Sequence, residues 1–247
     1  MTLNASVGQS IVFSDPIASN TANGLVPVAV NGPGTVVFKG GQTSAIAANT
    51  TVSGSGVLLV NDNATVYGVA GNTMTVNGTL GGTGTVTGTV TNNGTVAPGG
   101  TAAGAIGALT INGNYAGTGA VAIKTASGGV ADVLHITGDN TGAINIKVTD
   151  TSGLTGTSVK VAQVDGAGGV GAFALQTQPL TATAGGVLYT YGLAQGAAPN
   201  ANSLYLQVLS ATQAPGTAIP TLSETTLALL ALLLAGGAAR RLRRGAV

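Results

Sequence analysis

Along much of this chain threonine alternates with glycine and valine instead of with charged residues, and that alternation limits the folds open to it. In Gly82-Thr83-Gly84-Thr85-Val86-Thr87-Gly88-Thr89-Val90-Thr91 the even positions are Gly or Val and the odd ones are all Thr. A period of two is the spacing of a strand with one face buried. Val28-Ala29-Val30, Thr35–Phe38, Gly56–Val60 and Thr73–Val76 are further β-branched runs of strand length, each bounded by Asn, Gly or Asp. Helical spacing is hard to find, and Glu and Arg, which fill helix surfaces, are absent from positions 1–218. The body is therefore expected to be all-β.

Spacing narrows the architecture. Val76-Asn77-Gly78-Thr79-Leu80 and Thr91-Asn92-Asn93-Gly94-Thr95-Val96 repeat an Asn-Gly-Thr-apolar unit, with Asn77-Gly78 answered by Asn93-Gly94. Similar units begin at Asn31-Gly32 and Asn112-Gly113. Short strands broken by Gly and Asn corners are what a β-solenoid requires. Its corners call for positive φ, where Gly and Asn are favoured. Val, Leu, Ile and Ala are expected inside, with Thr and Asn facing solvent or stacked in ladders. A sandwich or barrel is the rival, because Asn-Gly also closes two-residue hairpins. The solenoid is preferred because small residues dominate and a sandwich's aromatic core is missing.

Composition excludes several functions. Of 247 residues 41 are Gly, and there is no Cys, no Trp and one His. That rules out a disulfide scaffold, a thiol nucleophile, a thiolate zinc site and a multi-His metal centre, and it argues against a Ser–His triad. Positions 1–218 carry four Lys and six Asp, whereas all four Arg lie within 240–244. No basic face exists in the body to neutralise phosphates, so nucleic acid is not an expected partner. Bulkier strands and five of the eight aromatics lie at Tyr115 or later. The expected organisation is solenoid repeats over 1–104, a cap region over 105–209, a linker over 210–218 and a tail over 219–247.

Two stretches resemble known families. The run Gly78–Gly99, followed by Leu109-Thr-Ile-Asn-Gly-Asn-Tyr115, Ala131–Gly138, Val159–Val164, Phe173 and Leu188–Leu193, resembles bacterial autotransporter passengers of the pertactin-like kind. The likeness spans roughly 25–209. It implies a right-handed parallel β-helix whose later part is the stable region. An autotransporter continues into a membrane β-barrel of alternating strands, whereas this sequence runs into a different kind of tail.

In that tail, Ala214-Pro-Gly-Thr-Ala218 has linker composition. Ile219, Pro220, Thr221, Leu222, Ser223 and Glu224 follow, then an apolar run to Ala239 and the cluster Arg240, Arg241, Arg243 and Arg244. Leu222–Ala239 as a helix would span roughly 27 Å, close to a bilayer core, and the Arg cluster would stay cytoplasmic. This order resembles the IPTL-type C-terminal sorting signal of Gram-negative bacteria. It implies processing by an exosortase, a membrane transpeptidase-like enzyme, after anchoring in the inner membrane. Thr225-Thr226 stands where the family pattern has Trp-Gly, which bears on processing efficiency.

No catalytic, cofactor or metal residue is assigned. His135, in a strand with Val133 and Leu134, reads as a structural or surface histidine. Asp132, Asp139, Asp150 and Asp165 could pair as in a β-helical polysaccharide enzyme, but three of the four abut Gly, Thr or Asn and read as turn formers. Asp62, between Asn61 and Asn63, lacks the calcium nonapeptide around it. The sequons at Asn4, Asn49, Asn63, Asn77 and Asn93 are expected by chance in so Asn- and Thr-rich a chain. The expected function is a non-enzymatic cell-surface or secreted protein, an adhesin, stalk or matrix component. Its partners would be an exosortase, the bacterial membrane, and surface glycans or a host surface. The alternatives are a β-helical carbohydrate-active enzyme and a truncated autotransporter passenger. Met1–Val7 has no signal-peptide pattern, and a start at an internal Met of a longer gene is expected.

Overall fold

The computed structural model describes residues 1–17, 27–41, 43–46, 49–61, 64–68 and 72–214. The sorting motif, the helix expected over about 222–239, the Arg cluster, Asp62 and Asn63 lie outside the described residues. Met1–Thr212 forms one compact unit. Among the described residues there is no helix, and so none long and apolar enough to cross a membrane.

The chain visits three sheets in turn. The first holds Thr2–Asn4, Val28–Asn31, Thr50–Val52, Thr73–Val76, Thr89–Asn92 and Tyr115–Gly117. The second holds Ser10–Phe13, Thr35–Phe38, Val57–Val60, Thr79–Gly82, Thr95–Pro98, Ala120–Ala126, Ala143–Asp150 and Ala172–Leu175. The third begins Thr43–Ile46, Thr65–Gly68, Thr85–Thr87, Ala108–Asn112, Val133–Ile136 and Val159–Val164. Each of these strands pairs in parallel with the strand one full turn away. This is a parallel β-solenoid of about six turns and not a sandwich. The Asn-Gly corners join sheets instead of closing hairpins.

Stacking in register puts like residues in columns. In the second sheet Val36, Leu58, Leu80, Val96, Val121 and Ile146 stack inward, each at most 1% exposed. Val66, Val86, Ile111, Ile136 and Val164 form the inward column of the third sheet. Outward, Thr43, Thr65, Thr85 and Thr110 form a column that continues into His135 and Gln163. Phe13 and Phe38 stack at 5.0 Å between ring centroids. A single turn cannot bury its inner face; adjacent turns bury it for each other.

Asn92 departs from the expectation that Asn faces outward. It is fully buried in the column after Val76. Its amide nitrogen donates to the Tyr115 hydroxyl at 2.9 Å and to the Ala120 carbonyl at 3.0 Å, and its oxygen accepts the Gly94 N–H at 3.1 Å. Each polar atom is thus matched, as burial demands. Burial pushes the Tyr115 hydroxyl up to about 12, against the opposing bond from Asn92.

Two physical reasons put glycine at the corners. Gly82 has φ of 116°, and a Cβ there would lie 2.1 Å from the Val60 carbonyl oxygen. Gly78 and Gly94 have no positive φ. Instead, their added Cβ atoms would sit 2.1 Å from the Ser53 oxygen and 2.3 Å from the Gly78 oxygen. The corner glycines lie so close that Thr79 N–H donates to the Gly56 carbonyl at 2.9 Å, and Thr95 N–H to that of Gly78 at 2.8 Å. Asn77 and Asn93 also stack, the Asn93 side-chain nitrogen donating to the Asn77 side-chain oxygen at 3.1 Å. Asn112-Gly113, similar in sequence, instead joins the third sheet to the first.

The repeat is irregular because the corners vary. Thr35, Val57, Thr79, Thr95, Ala120 and Asn145 stack in that order. The turn from Thr79 to Thr95 is therefore much shorter than those from Thr95 to Ala120 and from Ala120 to Asn145. In the second sheet Ala172–Leu175 still pairs in parallel, whereas in the third the pairing becomes antiparallel after Val159–Val164. Ser203–Gln213 lies against that strand, and Leu180–Ala184 pairs with Val187–Gln195. Leu175, Leu180, Tyr191, Leu204 and Leu206 join the same core as the parallel turns.

Gly78→Ala should destabilise the body by about 1–3 kcal/mol or more through overpacking against backbone. Gly54→Ala is the control. Its Cβ would meet nothing nearer than 3.9 Å, and loss of unfolded-state freedom should stabilise by about 0.4–1 kcal/mol. Urea midpoints of the two variants check the pair.

Candidate functional site

Among the described residues, the aspartates singled out from sequence sit in different surroundings. Asp139 and Asp150 lie at turns. Asp139 N–H donates to the Asn114 side-chain oxygen at 2.9 Å. Asp150 accepts the Ser152 N–H at 2.9 Å, and that bond holds its carboxyl below the usual range. A side chain bonded to the backbone two residues on is what turn-forming Asp provides. Among the described residues no group of three His, Cys, Asp or Glu could hold a metal.

Asp132 is a different case. It is fully buried and forms an ion pair with Lys124 at 2.9 Å. Its carboxylate accepts the Gly107 N–H and the Lys124 backbone N–H, each at 2.9 Å. The Lys124 ammonium also donates to the carbonyls of Gly100 at 2.7 Å and Pro98 at 3.3 Å. Together these bonds fasten the corner between Pro98 and Ala108 onto the strand Ala120–Ala126. Burial pushes the Asp132 carboxyl up, opposed by the bonds from Lys124 and Gly107. Its folded-state pKa is therefore raised, and its contribution to stability falls as pH rises through the window above the usual aspartate value. The pair is a structural clasp. Asp132, between Ala131 and Val133, is the one of the four aspartates without turn-forming neighbours in the sequence.

Lys124 was missed by sequence reasoning. Strict alternation after Val121 and Ile123 does not mark it as an inward residue of special kind. A register shift between Ile123 and Lys124 leaves Ile123, Lys124 and Thr125 all buried in succession. Only its isolation, as one of four Lys in the body, set it apart in the sequence.

His135 stands half-exposed on the outer face of the third sheet, and the fold brings it to Asp165. Its Nε2 lies 2.8 Å from the Asp165 carboxylate. Gln163 donates to the same carboxylate at 2.8 Å, and Lys160 donates to Gln163 at 2.9 Å. The Gln163 bond, then His135, hold the Asp165 carboxyl below the usual range. The group has two members of an acid–base arrangement and, among the described residues, no neighbouring nucleophile bonded to it.

In the tail, residues 217–244 match the IPTL-CTERM motif. No curated protein matches the chain. A β-solenoid followed by a C-terminal sorting signal fits a surface or secreted protein, and signals of this kind are processed by exosortase-type enzymes.

Asp132→Asn should leave Lys124 as an uncompensated buried charge and cost about 3–5 kcal/mol, read from chemical unfolding. At Asp165 the sign is opposite. A lowered folded pKa gives stability that is present above the usual aspartate value and lost as pH falls through the folded one. Asp165→Asn should therefore make unfolding midpoints less dependent on pH at the acid end, with little change in ordering of the strands by circular dichroism.

Proposed function

We propose that this chain is an exported, non-enzymatic β-solenoid of a Gram-negative cell surface, released from the inner membrane by processing of its tail. The observation that carries the reading is the IPTL-CTERM match at 217–244 directly after a solenoid body. The likeness of 25–209 to autotransporter passengers supports a right-handed coil, the hand taken by about 98% of parallel crossover connections. It also supports an adhesin, stalk or matrix role, since such bodies act by presenting surface. A non-enzymatic role is supported by the inventory of the body, which has no Arg, no Glu and a single His over positions 1–218.

The tail supplies a physical route. Arg240, Arg241, Arg243 and Arg244 resist crossing, at about 2.5–3.5 kcal/mol each if placed at the bilayer centre, and hold the segment as a stop-transfer anchor. A proline has no backbone N–H to donate and disfavours the helical region for the residue before it, which supports reading Ile219-Pro220 as part of a segment that a processing enzyme recognises. Thr221, Leu222, Ser223 and Glu224 complete the recognised segment. Thr225-Thr226, in place of Trp-Gly, should slow cleavage without abolishing it.

In a host with an exosortase that reads this motif, and with a signal peptide supplied, the exported protein should lack the residues beyond the motif. Alanines at Pro220, Thr221 and Leu222 should trap the full-length form in the inner membrane. Mass spectrometry of the external fraction decides the matter, because a C-terminus intact to Val247 refutes processing.

A further inference from the structure

We propose that the cleft beside Tyr205 is a binding site for a neutral saccharide. The cleft has a volume of about 400 Å³, and its walls include Ser158, Gly196, Ala197, Asn200, Tyr205 and Gln207. That volume lies within the range of about 300–1,000 Å³ typical of small-molecule sites. It forms where the antiparallel end of the body meets the last parallel turn. On Ser203–Gln213, Leu204 and Leu206 point into the core, so alternation turns Tyr205 and Gln207 outward to the same side. Ser158 sits just before Val159, the register partner of Leu206.

The wall facing Tyr205 is held by its own backbone. Gly196 N–H donates to the Ser203 carbonyl at 2.9 Å, Asn200 N–H to that of Ala197 at 2.7 Å and Ser203 N–H to that of Asn200 at 2.9 Å. The Gln195 side chain donates to the Ala201 carbonyl. Gly196 lets this loop approach the ring, because a Cβ there would lie 3.0 Å from Tyr205 Cε2 and 2.4 Å from the Asn200 oxygen. These bonds hold the loop backbone in place, which limits the backbone ordering that binding would cost.

The lining selects the ligand class. Apart from the phenol of Tyr205, no lining side chain is ionisable, so the walls themselves carry no charge to select a phosphate, a carboxylate or a metal ion. Lys160, the register partner of Tyr205, lies outside the lining and donates to Gln163; an anionic probe tests whether its charge recruits a ligand. The carboxamides of Asn200 and Gln207 and the hydroxyls of Ser158 and Tyr205 take no protein hydrogen bond among the described residues. Two carboxamides offer paired donors and acceptors, the complement of neighbouring sugar hydroxyls. The Tyr205 ring offers a flat apolar face for the C–H side of a pyranose. An uncharged ligand that is hydroxyl-rich at its edges and apolar on one face matches each wall.

The inference rests on the exported reading only for what the cleft would meet outside the cell. Binding in solution is read independently of tail processing, so either can fail alone. The test is calorimetric titration of the full chain, held in a detergent without a sugar headgroup, with cellotriose, chitotriose, maltotriose and laminaritriose, and with trigalacturonate as the anionic probe. At least one neutral trisaccharide should bind with a Kd at or below about 1 mM. Tyr205→Ala should weaken it about tenfold or more, while Tyr205→Phe keeps most of the affinity. Asn200→Ala, on the exposed loop, should weaken binding about threefold with an unchanged β-sheet spectrum, and it decides the matter if Tyr205→Ala disturbs the fold. Absence of binding by all four neutral sugars, binding by trigalacturonate alone, or affinity unmoved in folded Tyr205→Ala and Asn200→Ala variants would overturn the assignment.

Discussion

Hydrogen bonding between one turn and the next is the interaction on which the rest of the body depends. In a parallel coil, adjoining strands stand about 4.8 Å apart, and the corners must close to the same spacing as the sheets. A Cβ at Gly78 or Gly94 would fall inside that spacing. Corner glycine, short strands and columns of like residues all follow from keeping this one distance around the whole coil. The varying turn lengths are compatible with it, because extra residues leave the ladder at corners and rejoin it in register.

Charge placement follows from the same geometry. A narrow interior filled by Val, Leu and Ile leaves no room for an unpaired ion, and Lys124 enters it only with Asp132 and two carbonyls around its ammonium. Removing either partner leaves a desolvated charge, so the loss of one partner costs more than the intact pair contributes.

Much of the fold was legible in the sequence. Alternation in Gly82–Thr91 reports directly on strand faces, and the Asn-Gly-Thr units at 76–80 and 91–96 mark corners because corners of stacked turns take the same residues. What escaped was set by contacts between turns. The shift at Ile123/Lys124 buries a lysine beside its apolar neighbour, and Asn92 is buried because Tyr115 and the Ala120 carbonyl wait one turn away. The identical dipeptides Asn93-Gly94 and Asn112-Gly113 serve different corners, which depends on where each turn started. His135 and Asp165 meet across adjacent strands, and no spacing in the sequence marks them as partners. The cleft at Tyr205 depends on strands that pair antiparallel, and it left no motif to find.

The threonine columns carry a consequence for how this body meets its surroundings. Its outer faces are mainly hydroxyls, amides and methyls, and over positions 1–218 its only charged side chains are four Lys and six Asp. Dissolved ions weaken attraction between charges over a screening length of about 8–10 Å at ordinary salt, and here they find little to weaken. Contact made by such a surface would draw on dispersion and neutral hydrogen bonds. It would hold about as well in brine as in fresh water, a property that a charge-studded coat of the same shape could not have.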